Sequence, residues 1–292
     1  MTTLKTEPKK KSDFWVRTGT GLIMGAVVIG SIIGSQYSFA ALMAVVMLLS
    51  VREFYNITAP TRTTNKATPY YLPLILLLAA ALYAGTYFYA NGFISGQYLL
   101  VVPAMLLLFF MLELFADSKD AFYNISLNVV SLVYLAFPFM LVQFLVLGTN
   151  GYSWRPMMAI LLLIWANDIS AYLVGRQIGK TKLLSRISPG KTIEGSAGGV
   201  VGCALIAVGL YYLMPVEDWE IMDWVVIAIL TSTFATVGDL IESMLKRNLG
   251  IKDSGTLLPG HGGVLDRFDA FFFTVPFVVA YLALRGLLVI GY

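Results

Sequence analysis

Nine runs of mostly apolar residues follow one another along the chain, near 18–35, 37–55, 69–90, 94–115, 124–148, 156–178, 196–214, 222–245 and 269–290. Each approaches or exceeds the ~20 residues that carry a helix across about 30 Å of hydrocarbon. Lipid offers no partners to backbone N–H and C=O groups, so runs of this kind predict helices that satisfy themselves. The predicted fold class is an all-α, polytopic integral membrane protein with about nine transmembrane helices. Composition agrees: 58% of the residues are hydrophobic and 13% charged, against about 25% charged in soluble domains. A single soluble core of 292 residues cannot hide so much apolar surface. A disordered chain, a collagen and a nucleic-acid binder with a basic face are excluded by the same figures. Cys203 is the only cysteine, so there is no disulfide framework, and it reads as a small packing residue within a span.

The charges set the expected orientation. Basic residues near span ends mark the cytoplasmic side, and the N-terminus holds Lys5, Lys9, Lys10, Lys11 and Arg17. With the N-terminus inside, nine spans place 18 of the 20 Lys and Arg residues on the inner side. Only Arg155 and Arg285 fall outside, together with "PVEDWEIMDW" (215–224), which has four acids and no base. The C-terminus is therefore expected outside. The opening "MTTLKTEPKKKSDFW" is polar and does not read as a cleaved signal peptide. The chain divides into a polar basic tail (1–17), a block of scaffold and lipid-contacting helices (18–150), and a catalytic region (151–292). That last region has two inner loops, 176–195 and 246–268. No internal repeat or inverted pair of broken helices of the transporter kind is visible.

Ionisable residues within spans are costly and are candidates for function. Asp168 lies in "LLLIWANDISAYLVG", and Asp239 and Glu242 in "FATVGDLIESMLKR". Asp239, Glu242, Ser243 and Lys246 are spaced i, i+3, i+4 and i+7 and share one helix face. An ion pair with Lys246 explains Glu242 as well as chemistry does; for Asp168 and Asp239 chemistry is the better account. The stretch from Ser243 to Phe273 adds Asp253, Asp266 and Asp269, four bases (Lys246, Arg247, Lys252, Arg267), the only histidine (His261) and five glycines. Carboxylates suit hard cations such as Mg²⁺. Lys, Arg and exposed glycine N–H groups suit phosphates. Two antiparallel helices joined by this loop can bring Asp239 and Asp266 to one metal. His261 has no second histidine to share a metal with, and phosphate or turn stabilisation is preferred for it over proton transfer. The other loop, "GRQIGKTKLLSRISPGKTIEGSAGG", is also basic and glycine-rich. It contains no true P-loop: "GRQIGKT" has three residues between its glycines where four are needed, and "SPGKT" has Ser185 in place of the first glycine.

The run Ser243, Lys246-Arg247, Lys252-Asp253, Pro259, His261-Gly262-Gly263, Asp266-Arg267, Asp269 resembles the signature of the phosphatidate cytidylyltransferase (CDP-diacylglycerol synthase) family. "DISAYLVGRQIGKTKLLSRISPGKTIEG" is similar to a second stretch of that family. The first 150 residues match only as hydrophobic helices. The resemblance implies a bacterial inner-membrane enzyme with its active site facing the cytoplasm. It would make CDP-diacylglycerol and pyrophosphate from CTP and phosphatidic acid, with Mg²⁺, a second cation such as K⁺, and a homodimeric state. It implies Asp239 and Asp266 as metal ligands, with Asp168 and Asp269 in supporting or second-metal roles. Lys246, Arg247, Lys252 and Arg267 would clamp phosphates, beside Asp253 and His261. Ser188, Lys191, Ser243, Gly262 and Gly263 would contact substrate. Two other classes share some of these features: a CTP-dependent polyprenol kinase or related CDP-lipid synthase, and an ion-coupled transporter. The transporter explains Asp168 and Asp239 but not the bases and glycines gathered on one side.

Overall fold

The computed structural model describes residues 11–62, 68–116, 118–148 and 151–288. Among them, nine helical segments are long and apolar enough to cross a membrane. The first four are α1 (Lys11–Gly34), α2 (Gln36–Thr58), α3 (Thr68–Ala90) and α4 (Val101–Ala116). The fifth is composite: α5 (Ala121–Val130), a π-helical turn over Ser131–Ala136, and α6 (Phe137–Val146). The widened turn lies just before Pro138, whose missing N–H interrupts the i→i−4 ladder. Then come α7 (Arg155–Ile178), α8 (Ile193–Leu213), α9 (Ile221–Asn248) and α10 (Leu265–Leu284). The nine segments fall where the apolar runs predict. Two boundaries matter below: residues 11–17 of the expected tail are already helical, and α10 begins at Leu265 rather than near 269. Lys5, Lys9, Lys10 and Lys66 lie outside the described residues.

A single residue, Ser35, divides the first two spans. It is extended (φ −169°), and its side chain accepts from Ser38 N while the Ser38 hydroxyl accepts from Ser35 N. That reciprocal pair satisfies donors the new helix would otherwise leave open. Two small antiparallel pairs complete the architecture: β1 (Leu147–Gly148) with β2 (Gly151–Tyr152), and β3 (Lys182–Leu184) with β4 (Ser188–Thr192). "SPGKT" is thus a strand, and Thr192 ends it by capping α8, its hydroxyl accepting from Gly195 N at 3.1 Å. The Glu194 carboxylate accepts from the Lys180 and Thr181 amides at 3.1 Å and from the Thr181 hydroxyl at 2.8 Å. Those bonds fasten the hairpin to the start of α8.

The helices α7–α10 form the densest part of the bundle. Gly198 and Gly202 present backbone to α7, where a Cβ would collide with Val174 and Ser170 respectively; small residues four apart let membrane helices approach in this way. Phe139 of α6 packs among Phe268, Phe271 and Phe272 of α10, with centroids 4.9–6.1 Å away. At the end of the bundle where α9 begins and α10 finishes, Asp223 accepts from the Tyr281 hydroxyl at 2.6 Å, from Arg285 Nε at 3.0 Å and from Glu220 N at 2.9 Å. The catalytic candidates all lie at the opposite end.

Candidate active site

A cavity of about 650 Å³ opens between α1, α7, the start of α8, α9, α10 and the β3–β4 hairpin. Five carboxylates line it, from Asp168, Asp239, Glu242, Asp266 and Asp269, with four bases, Arg176, Lys191, Lys246 and Arg267. On α9, Asp239 and Glu242 are one turn apart, so both face inward. Asp269 comes from α10, and Gly238 explains how it gets so near: a Cβ there would run into the Asp269 carbonyl. Ligand oxygens of Asp239, Glu242 and Asp269 lie within 4.8 Å of one another. Three carboxylates at that separation repel strongly in a partly desolvated site, and the chain meets the charge from two sides. Lys191 reaches over from β4 to pair with Asp239, and its Nζ also donates to the Thr236 carbonyl at 3.5 Å. Lys246 pairs with Glu242, whose side chain is 1% exposed, and with Asp266 Oδ1 at 2.8 Å. Asp168 is held from behind: the Ser232 hydroxyl donates to Asn167 Oδ1 at 2.6 Å, and Asn167 Nδ2 donates to Asp168 Oδ1 at 3.3 Å.

Asp266 faces a different set of partners. Because α10 starts at Leu265, Asp266 sits in its first turn and its carboxylate turns back onto the preceding loop. Oδ2 accepts from Gly263 N at 2.8 Å, Ser254 N at 2.9 Å and the Ser254 hydroxyl at 3.0 Å, while Oδ1 takes Lys246. Acidic groups at a helix N-terminus are favoured by its exposed N–H groups and dipole. Asp266 thereby pins the glycine-rich loop to α9 and α10, one step away from the carboxylate trio.

The loop itself encloses a second cavity of about 660 Å³, lined by Arg17 of α1, Lys252, Asp253, the segment Leu258–Gly262 and Arg267. Leu258 N donates to the Gly262 carbonyl at 2.9 Å and His261 N to the Leu258 carbonyl at 2.8 Å, closing a tight turn. Gly260 and Gly262 have φ of 76° and 84°, a region that side chains disfavour. The His261 imidazole packs against Gly21 of α1, where a Cβ would lie 3.4 Å from Nε2. Arg267 lines both cavities and is the side chain that joins them.

A basin of clustered acids, flanked by Lys and Arg and adjoining a basic, glycine-lined chamber, is suited to a polyphosphate with its metal. The sequence profile described as the cytidylyltransferase family matches residues 15–285. The chain belongs to the cytidylyltransferase family. Membership makes it a CTP-using nucleotidyltransferase. Similar proteins named phosphatidate cytidylyltransferase occur in several bacteria. The Synechocystis sp. protein is 36% identical over 283 residues, covering 87% of this chain and 90% of that one. The Staphylococcus saprophyticus protein is 35% identical over 189 residues, or 64% and 70% of the two chains. The Bacillus subtilis protein is 47% identical over 123 residues, 42% of this chain and 45% of its own length.

Within this cytidylyltransferase-family chain, the structure collects most of the residues expected from the sequence. Asp168, Lys191, Asp239, Lys246, Asp266, Arg267 and Asp269 line the first cavity. Lys252, Asp253, His261 and Gly262 line the second, again with Arg267. Gly263 donates its N–H to Asp266 rather than facing either space. Ser188, Ser243 and Arg247 line neither of these cavities; Arg247 is exposed and reaches the Ile251 carbonyl at 3.5 Å. Glu242, for which the sequence left an ion pair and chemistry equally open, makes the ion pair with Lys246 and also lies within the carboxylate trio. Three residues that the sequence did not single out also reach the site: Asn167 behind Asp168, Arg17 in the second cavity, and Glu53 of α2 against the loop.

Proposed function

We propose that this chain is a phosphatidate cytidylyltransferase: it transfers the cytidylyl group of CTP to phosphatidic acid, giving CDP-diacylglycerol and pyrophosphate. The observation that carries this reading is the trio Asp239, Glu242 and Asp269 set among Lys191, Lys246 and Arg267 in one cavity. An oxygen of the lipid's phosphate monoester attacks the α-phosphorus of CTP, the bond from that phosphorus to the bridging oxygen breaks, and pyrophosphate leaves with the electron pair. The nucleophile is already anionic at neutral pH, so the site needs no strong general base. Its task is to hold two anions together and to neutralise the leaving group.

The oxygen-only donor set of Asp239, Glu242 and Asp269 fits a hard divalent cation. Bound there, Mg²⁺ supplies Lewis-acid neutralisation of the triphosphate. Asp266, the other expected ligand, serves in this reading by holding the loop, and Asp168, which lines the same cavity, is left for a second cation such as K⁺. Lys191, Lys246 and Arg267 clamp phosphate oxygens, and Lys252 with Arg17 offers charge to the part of the nucleotide in the second chamber. Trp165 and Tyr172 line the first cavity and are 40% and 63% exposed. They give phosphatidic acid an apolar, membrane-facing side from which to enter.

Purified protein supplied with phosphatidic acid, Mg²⁺ and CTP carrying label in the cytidine moiety is expected to yield labelled lipid. CTP labelled at the γ-phosphate is expected to release that label as pyrophosphate. Appearance of γ-label in lipid identifies a kinase and overturns the proposal, as does absence of turnover across varied lipids and cations. By the positive-inside rule, the basic loops support a site facing the cytoplasm from a bacterial inner membrane. A reporter fused after Tyr292 should therefore report the outer side; a cytoplasmic signal refutes the orientation.

A further inference from the structure

The block of helices before residue 150 carries one carboxylate that reaches the signature loop. Glu53, near the end of α2, accepts from Val264 N at 3.0 Å through Oε1, and from Leu265 N at 2.9 Å and the Ser254 hydroxyl at 3.3 Å through Oε2. Helix starts leave N–H groups without intrahelical partners, and α10 has no local cap, since Val264 at the N-cap position offers no side-chain acceptor. Glu53 fills that role from a partner more than 200 residues away in sequence. The fit is close: a Cβ at Gly255 would lie 2.8 Å from Glu53 Oε1, and one at Gly263 would collide with Oε2. Ser254 is shared: its one hydroxyl proton lies within reach of Asp266 Oδ2 at 3.0 Å and of Glu53 Oε2 at 3.3 Å. Two carboxylates from different halves of the chain therefore grip the same loop and the same first helical turn.

We propose that Glu53 is a positioning residue of the active site, its carboxylate holding the 254–265 segment so that α10 presents Asp266 to Lys246 and Asp269 to Asp239 and Glu242. The proposal rests on the reading of that cavity as the site of cytidylyl transfer. Loss of the carboxylate should disturb the metal-bearing side of the site and leave the lipid-facing side alone.

The test uses the full-length protein in detergent, with two measurements. In hydrogen–deuterium exchange, Glu53→Ala should speed exchange across 254–266 by on the order of 10-fold or more, while α3 and α8 stay as in wild type. In turnover, kcat should fall on the order of 10- to 100-fold, the size expected for charge-assisted hydrogen bonds. The Mg²⁺ concentration for half-activation should rise, and KM for phosphatidic acid should hold. Glu53→Gln keeps one acceptor oxygen and should recover part of both signals; it also serves if the alanine variant does not fold. Wild-type exchange in the loop overturns the proposal whatever the activity. A fall in kcat that only tracks lost thermal stability, with an unchanged Mg²⁺ midpoint, overturns it too. If wild-type protein makes no CDP-diacylglycerol, the functional reading fails separately, and the exchange result still decides whether Glu53 holds the loop.

Discussion

Asp239→Asn should lower the rate of CDP-diacylglycerol formation by about 10²-fold or more, with the protein still inserting and purifying in normal yield. Asparagine keeps the shape of the side chain and removes the charge, so packing on α9 is spared. What is lost is one anionic oxygen donor of a trio within 4.8 Å and the partner of Lys191. Asp269→Asn, from the facing helix, should behave alike, and both should need more Mg²⁺ for half-maximal rate. Asp266→Asn offers the contrast. Its carboxylate is already occupied by Ser254, Gly263 and Lys246, so its loss should appear as a loosened loop and a less stable protein together with lower activity. Near-normal turnover by Asp239→Asn would remove the trio from the mechanism. If Asp266→Asn shifts the Mg²⁺ requirement and Asp269→Asn does not, the metal lies instead between Asp239 and Asp266.

The division between what the sequence reveals and what it hides has physical causes. Nine spans are legible because length and apolarity alone decide them in a bilayer. The face shared by Asp239, Glu242 and Lys246 is legible because helical spacing is local. The partner of that face is not. Whether Asp266 or Asp269 completes the acidic group depends on where α10 begins, and a start at Leu265 instead of 269 turns Asp266 back onto the loop. Three residues later, Asp269 then meets α9 at Gly238. The β3–β4 hairpin reads as an irregular basic loop because its pairing is only a few residues long and is fastened from outside by Glu194. Glu53 stands beside an ordinary Arg52 at the end of a greasy helix. Its meaning resides wholly in contacts with amides more than 200 positions away, for which no local pattern exists.

Lys246→Met should be the most destabilising of the single changes in the site. The Lys246 side chain is 13% exposed, and it stands between Glu242 and Asp266, 1% and 3% exposed. Removing the cation leaves two buried carboxylates facing each other, and breaking a buried pair in this way costs about 3–5 kcal/mol. The loss should be visible as a lower midpoint of thermal unfolding and a shorter half-life of the detergent-solubilised protein at fixed temperature. Asp266 keeps three donors from the loop after the mutation, whereas Glu242 keeps only Asp266, itself a carboxylate, within reach of its side chain. The penalty should therefore reside mainly at Glu242, and Lys246→Met/Glu242→Gln should regain more than half of the lost stability, a non-additivity expected of groups in direct contact. Activity should not return with it, because Glu242 belongs to the acidic trio and Lys246 to the phosphate-binding bases. A double variant as unstable as Lys246→Met would show that the lysine stabilises the fold through its stem or through Asp266 alone. A stable double variant with restored turnover would show that neither group takes part in the chemistry.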